Sequence, residues 1–349
     1  MNTLHEKYIR RCIEIGKNAL GSARPNPMVG CVIVHDNTII GEGYTSPYGG
    51  SHAEVNAIQS VKDSTLLKKA ILYVTLEPCS HFGKTPPCSD LIIRHQIPNV
   101  VIGTIDTHSK VSGRGIEKLK NAGCNVTLGV LEDECRKHHK RFFTFHNKKR
   151  PYIILKWAQT IDGFVAPEKT TERAPVWITN SYSRQLVHKW RAKEQAILVG
   201  NKTVIEDNPK LTIRDWSGTN PIRIVIDLYN KIPKDSSILD KTVKTIVITT
   251  SDNKQESEDA FLVYEIIDSK NNVPQQVCNI LHTHEIQSVI IEGGSYTIQS
   301  FINENLWDEA RVFTGMNNFL KGVKAPALES KIDSEKKIID DTLRIYYND

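Results

Sequence analysis

The pattern His52-Ala53-Glu54, then Pro78-Cys79, then Cys88 constrains this chain more than any other run of residues. One imidazole and two thiols so separated meet only if the fold brings a helix start, a strand end and a second helix start to one point. Such a set fills three positions of a tetrahedral zinc site and leaves the fourth for a water. Zinc lowers the pKa of that water, giving the nucleophile that hydrolytic deamination of an amidine-like carbon needs at neutral pH. A carboxylate beside the metal that is not a ligand can carry the proton to the departing ammonia, and Glu54 suits that role. Helix N-termini, where His52 and Cys88 are expected, favour thiolates. The competing reading is a scatter of buried cysteines with one hydrogen-bonded histidine. It suits the other five, Cys12, Cys31, Cys124, Cys135 and Cys278, which lack such neighbours and read as core or incidental. His282 and His284 have no evident third ligand and read as surface residues.

Hydrophobic spacing divides the chain in two. Residues 4–20 carry Leu4, Tyr8, Ile9, Cys12, Ile13 and Ile15 at helical spacing. Val29–Val34 and Thr38–Gly43 are expected as paired strands around an Asp36-Asn37 turn. A helix His52–Val61, strand Ala70–Leu76, helix Ser89–Gln96, strand Asn99–Ile105, helix Gly115–Ala122 and strand Asn125–Leu128 follow. That order predicts an α/β sandwich closing near His146. A second α/β pattern opens after Pro151. Its strands are expected at Tyr152–Trp157, Ala196–Gly200, Ile222–Asp227, Thr245–Thr250, Ser288–Glu292 and Glu309–Thr314, with helices at Ser181–Arg191 and Tyr296–Glu304. A chain of 349 residues suits two domains, expected at 1–146 and 147–349. The basic clusters Lys137–Arg141 and Lys148–Arg150 lie at this join and read as a solvated linker face. Thr250–Gln276 is polar and reads as a surface excursion.

The excess of 45 Lys and Arg over 40 Asp and Glu suits an anionic small molecule and is too small and scattered to argue for nucleic acid. Seven cysteines is an odd number and no disulfide framework. With neither an apolar signal core nor a membrane-length apolar run, a reduced, cytoplasmic protein with no membrane partner is expected.

The first half resembles the cytidine-deaminase-like superfamily, whose α/β/α sandwich it is expected to share. Most nucleoside and tRNA deaminases of that superfamily space the two cysteines as Cys-x-x-Cys. Here the segment runs Pro78-Cys79-Ser80-His81-Phe82-Gly83-Lys84-Thr85-Pro86-Pro87-Cys88. The wider spacing is similar to the deaminase domain of the bifunctional riboflavin-pathway family, where the insertion contributes to the substrate pocket. Arg24-Pro25-Asn26-Pro27-Met28-Val29-Gly30 resembles that family's substrate loop. The resemblance implies Asn26, His81 and Lys84 as contacts to base, ribose or phosphate.

In the second half no Gly-x-Gly-x-x-Gly follows a strand, so a Rossmann domain is not expected. Glu292-Gly293-Gly294-Ser295 runs from a strand into a helix, where glycines let backbone N–H groups approach a phosphate. Read alone, this signal is weak, and such a turn is more often only a tight connection. Lys156-Trp157-Ala158-Gln159-Thr160-Ile161-Asp162-Gly163 resembles the opening of reductases with a dihydrofolate-reductase-like fold. Trp177-Ile178-Thr179, Arg191-Ala192 with Ala196–Gly200, and Thr203–Arg214 with its Asp207-Asn208-Pro209 match the family's later segments in order. The resemblance thus covers both halves.

It implies Arg191, Leu211 and Arg214 as substrate contacts, the arginines on its phosphate, with Glu292 also touching substrate. Arginine's planar fork suits a phosphate dianion. Ala158, Trp177, Thr203 and Asp207 would line the NADPH site, Gly293, Gly294 and Ser295 would meet its phosphates, and Lys156 would polarise the ribose carbonyl or imine. Without the resemblance, Trp177 suits a core and the arginines suit surface salt bridges. Three features depart from the family. Pro175 replaces a serine, the Pro167–Ala174 loop is slightly longer, and the segment after Gly322 matches poorly.

The implied reaction sequence is zinc-dependent deamination of a phosphoribosylated diaminopyrimidine, then NADPH-dependent reduction of its ribose to a ribityl chain. A homo-oligomer, dimer or tetramer, is expected. A nucleoside or tRNA deaminase fused to an unrelated NADPH-binding domain is the alternative. The wide Cys79–Cys88 spacing and modest charge argue against it.

Overall fold

A computed structural model of the chain describes residues 2–82, 86–107, 113–168, 173–253 and 260–348. The chain forms two compact units, Met1–Lys149 and Arg150–Asp349.

Unit one contains α1 (Asn2–Gly16), β1 (Gly30–His35), β2 (Thr38–Tyr44), α2 (Ala53–Gln59), β3 (Ile71–Leu76), α3 (Cys88–Arg94) and β4 (Asn99–Thr104). It continues with α4 (Arg114–Asn121), β5 (Asn125–Leu128), α5 (Glu132–His138) and α6 (Lys140–Lys148). The sheet order is β2-β1-β3-β4-β5. Asp36 and Asn37 turn the first hairpin at φ 47° and 59°, the mirror-image turn that matches strand twist. β1 runs antiparallel to β2 and β3, whereas β3, β4 and β5 are parallel. Alternate strand residues face opposite layers. Ile33, Leu72, Val74 and Ile102 pack with Ala57, Ile92 and Leu119, while Val32, Tyr73 and Val101 pack with Tyr8, Ile9 and Cys135. Gly43 sets one of these layers close, because a side chain there would meet the α2 backbone at Ala53 and Ala57. That contact fixes the start of α2, where His52 sits.

The basic cluster expected as a solvated linker face is solvated only in part: Lys137, Lys148 and Lys149 are exposed, while His138, His139 and Arg150 are buried. Most of it lies in α5 and α6, where Cys135, Phe142 and Phe143 supply an apolar face that the flanking charges mask in sequence. His138 Nε2 meets the Met28 carbonyl at 2.7 Å, and His139 Nε2 meets Thr75 Oγ1 at 3.0 Å. Arg150 is buried against Asp308 in unit two, at 2.5 and 2.8 Å.

Burial pushes the His138 pKa down to about 4 and that of His139 well below its usual range. Between pH 6.5 and 4 the unfolded chain binds a proton at position 138 that the folded chain refuses. Stability is therefore lost as pH falls through this window, by roughly 3 kcal/mol for His138. Urea unfolding of unit one at pH 7 and pH 4.5 should show a smaller loss for His138→Gln than for the unsubstituted chain. Equal losses in the two proteins would refute this account.

Unit two begins with β6 (Tyr152–Gln159), β7 (Phe164–Pro167), α7 (Ser181–Arg191), β8 (Ala196–Gly200), α8 (Asn201–Asp207), β9 (Ile222–Ile226) and β10 (Thr245–Thr249). It ends with β11 (Leu262–Ile266), α9 (Val273–Thr283), β12 (Ser288–Gly293), α10 (Ser295–Asn303), β13 (Glu309–Thr314), β14 (Gly322–Lys324), β15 (Ile332–Ile338) and β16 (Asp341–Tyr347). Among the described residues its main sheet has nine strands, ordered β11-β10-β9-β8-β12-β6-β13-β16-β15. β12 and β6 lie side by side near the middle, in parallel, with β8 and β13 outside them. Ile153, Leu155 and Ile291 face the layer holding Val277, Leu281, Ile298 and Phe301 of α9 and α10. The opposite face carries Tyr152, Ile154 and Ile290, packed against Trp190 of α7. The Thr250–Gln276 stretch is only partly surface excursion. It includes β11, a half-exposed edge strand beside β10, and the first turn of α9.

Candidate active sites

Three local structures place the first set of residues. His52 is the last extended residue before α2 (ψ 163°), Cys79 follows β3, and Cys88 opens α3 behind Pro87. His52 Nδ1 lies 3.6 Å from Cys79 Sγ and 3.3 Å from Cys88 Sγ, and the three ligand atoms lie within 4.8 Å of one another. A tetrahedral zinc with Zn–N of about 2.0 Å and Zn–S of about 2.3 Å requires N···S distances of about 3.5 Å, so the set fits the ion. Cys88 also donates its backbone N–H to Cys79 Sγ at 3.3 Å. With the Cys88 side chain and His52, this holds the Cys79 thiol down at about 4.

Glu54 is in the first turn of α2 and 4% exposed. Burial, then the neighbouring Cys79, push its carboxyl up to about 7. Sequence reading missed Glu77, just before Pro78. Its buried carboxylate accepts the backbone N–H groups of Asp106, Gly113, Gly115 and Ile116 at 2.9–3.3 Å. A buried acid beside the ligand motif was the available signal.

Asn26 is half-buried in a loop pinned by neighbours. Thr45 Oγ1 donates to the Pro27 carbonyl at 2.9 Å and accepts the Val29 N–H at 3.0 Å. His81 is exposed beside Phe82, and Lys84 lies outside the described residues.

The second set gathers where β6, β12 and α7 meet. Lys156 on β6 is half-buried, and burial lowers its pKa. Glu292 on β12 is held at about 2 against the cost of its burial, first by the charges of Arg191 and Lys156. Arg191, the last residue of α7, grips Glu292 through Nε (3.0 Å) and Nη2 (2.5 Å) and donates Nη1 to the Thr212 carbonyl at 3.3 Å. Its fork serves a buried carboxylate, which a charge so placed requires. Leu211 lies in the loop after α8. Its side chain is 3% exposed and packs with Ile197, Val199 and Val204, so only its backbone, at φ 53°, can border a ligand. Arg214 is exposed.

Trp177 is 52% exposed rather than a core residue, and the Arg184 guanidinium stacks 4.4 Å from its ring centre. Ala158 is half-buried. Burial lifts Asp207, at the end of α8, to about 6. Thr203 Oγ1 accepts the Gly294 N–H at 2.9 Å, and a side chain on Gly293 would meet the same oxygen. Ser295 spends its hydroxyl on the Lys324 carbonyl at 2.7 Å. The Gly294 amide and Ser295 hydroxyl are therefore engaged internally. The first turn of α10 keeps the amides that every helix start presents.

His188 was also missed. It is buried on α7, four residues after Arg184 and three before Arg191, a spacing that shares their helix face. Its Nδ1 accepts the Arg214 backbone N–H at 3.2 Å, and Nε2 lies 3.5 Å from Asp215.

Comparisons with known proteins cover both units. Residues 2–104 match the family model of the cytidine and deoxycytidylate deaminase zinc-binding region, and residues 151–315 match the RibD C-terminal domain. The riboflavin biosynthesis protein RibD of Aquifex aeolicus is 39% identical over 89% of this chain and 86% of its own length. The Escherichia coli protein of the same name is 33% identical over 88% and 86%. A Thermotoga maritima diaminohydroxyphosphoribosylaminopyrimidine deaminase/5-amino-6-(5-phosphoribosylamino)uracil reductase superposes with TM-score 0.89, 36% identity and 99% coverage of both chains.

Proposed function

The chain belongs to the RibD family, and on that premise we propose that residues 1–149 deaminate a phosphoribosylated diaminopyrimidine and residues 150–349 reduce its ribose. The family is that of the bifunctional deaminase and reductase of riboflavin biosynthesis. A cytidine-deaminase-like domain precedes the RibD reductase domain, and the cofactors are zinc and NADPH. The observation that carries the reading is the His52, Cys79 and Cys88 donor set at zinc-like spacing beside buried Glu54.

Zinc, when held by these three residues, supplies a nucleophilic water. Glu54 takes a proton as that water adds to the carbon bearing the exocyclic amine, and returns it to the nitrogen that leaves as ammonia. Asn26, His81 and Lys84 orient the base and its phosphoribosyl group. In unit two NADPH, when bound, supplies hydride. Ala158, Trp177, Thr203 and Asp207 line its site, and the Gly293-Gly294-Ser295 turn leads its phosphates to the start of α10. Lys156 polarises the reacting ribose carbonyl or imine, Glu292 faces the substrate and Arg214 meets its phosphate. Incubating the chain with the pyrimidine, with and without NADPH, and weighing the products tests the whole sequence. A product neither deaminated nor reduced would sink it.

Among the described residues no helix is long and apolar enough to cross a membrane. The seven cysteines are free, which supports a cytoplasmic site of action. The proposal includes assembly as a dimer or tetramer, for which exposed Met316, Leu320 and Ile339 offer apolar surface. Sedimentation velocity would read this.

Elemental analysis should find about one zinc per chain. Cys88→Ser should lower occupancy and deamination together, and full zinc occupancy in that variant would remove Cys88 from the ligand set. Arg214→Ala should raise the substrate KM for reduction by about ten- to a hundredfold, the loss of one charge-assisted contact. NADPH affinity, read by fluorescence titration, should hardly move. The reverse outcome would assign this arginine to the cofactor.

A further inference from the structure

We propose that His188 is a positioning residue for the reductase, holding the backbone of the segment Leu211–Asp215 so that Arg214 projects toward the substrate phosphate. The inference rests on reading Arg214 as the phosphate contact. Arg214 is exposed, and the fixed point beside it is its backbone N–H, which donates to His188 Nδ1 at 3.2 Å. His188 is itself 4% exposed and carried on α7, so it cannot follow a moving loop. On the same segment, Arg191 Nη1 donates to the Thr212 carbonyl at 3.3 Å and Asn220 Oδ1 accepts the Ile213 N–H at 2.9 Å. Leu211 packs its side chain beneath. Backbone and side-chain contacts thus fix the segment from below, and the imidazole sets the residue whose side chain remains free to meet a ligand.

The hydrogen bond dictates the tautomer. Nδ1 must be the unprotonated nitrogen to accept an N–H, so Nε2 carries the proton and points toward Asp215 Oδ2, 3.5 Å away. The groups around the ring favour this neutral form. Burial, then the charges of Arg191 and Arg214, lower its pKa, against Asp215 and Glu292, which raise it. A second proton, on Nδ1, would confront the Arg214 N–H and release the segment.

Two substitutions separate positioning from bulk packing. His188→Phe keeps a flat ring and loses the acceptor. His188→Asn places an oxygen near the former Nδ1. With pre-deaminated substrate, His188→Phe should raise the reductase KM about tenfold, with kcat within about twofold and NADPH affinity unchanged. His188→Asn should recover most of the KM. For the unsubstituted enzyme KM should climb on the acid side of neutrality, and this climb should vanish in His188→Asn. Retained NADPH binding reports that unit two is folded in each variant. Equal KM in His188→Phe and the unsubstituted enzyme would overturn the inference, as would equal damage in both variants. Arg214→Ala serves as the reference. If it leaves KM unchanged, the Arg214 reading fails. If it raises KM and His188→Phe does not, only the His188 inference fails.

Discussion

Glu54→Gln should keep its zinc and lose deamination, by a factor on the order of 10² to 10⁴, the usual worth of a positioned acid–base group. The substitution preserves shape at a site that is 4% exposed, so unit one should stay folded. An amide can accept a hydrogen bond from water but cannot carry its proton to the leaving nitrogen. The residues proposed to hold the zinc are His52, Cys79 and Cys88, and none is altered. Reduction of pre-deaminated substrate should continue at close to its normal rate, since the residues proposed for it lie in the other unit. Zinc analysis and two separate product assays read the three outcomes. Deamination at the unsubstituted rate would take Glu54 out of the mechanism. Loss of both activities with zinc retained would defeat the assignment of one reaction to each unit.

Glu292→Gln should destabilise unit two by about 3–5 kcal/mol and abolish reduction. The carboxylate is shielded from solvent and gripped by Arg191 at 2.5 and 3.0 Å, with Lys156 beside it. Neutralising it leaves two cations in one sheltered pocket with no compensating charge. All five tryptophans lie in unit two, so their fluorescence follows its unfolding in urea. The penalty should depend on pH with a definite sign. Glu292 titrates at about 2 in the folded chain against an ordinary 4.5, so its contribution is complete above 4.5. It is lost as pH falls toward 2, and amounts to roughly 3 kcal/mol at neutral pH. The gap between Glu292→Gln and the unsubstituted chain should narrow over that range. A gap that stays constant would show that packing, not charge, sets it.

The sequence made the His52, Cys79 and Cys88 cluster legible because each sits at an element boundary marked by its own residues. His52 precedes an apolar helix, Cys79 follows a buried strand, and Cys88 follows two prolines. Strands at the sheet centre were legible for the same reason, as their burial leaves a continuous apolar signature. The edge elements were not. Every residue of β11 is partly exposed, and β15 is exposed along nearly its whole length, so neither shows the contrast that periodicity detects. Polar residues turned inward were equally hidden. His138, His188 and Arg150 each satisfy a partner remote in sequence, and nothing local distinguishes them from solvated side chains. Leu211 and Arg191 likewise have partners that no local pattern shows: the leucine packs with Ile197, Val199 and Val204, and the arginine grips Glu292.

Glu77 bears on any attempt to re-engineer the deaminase. One carboxylate collects four amides from the stretch between Asp106 and Ile116 while its own chain continues directly into Pro78 and Cys79. The two crossings are therefore a single graft unit rather than two interchangeable loops. A transplanted segment must deliver those four N–H groups to the same oxygens, or the cysteine-bearing turn loses its abutment.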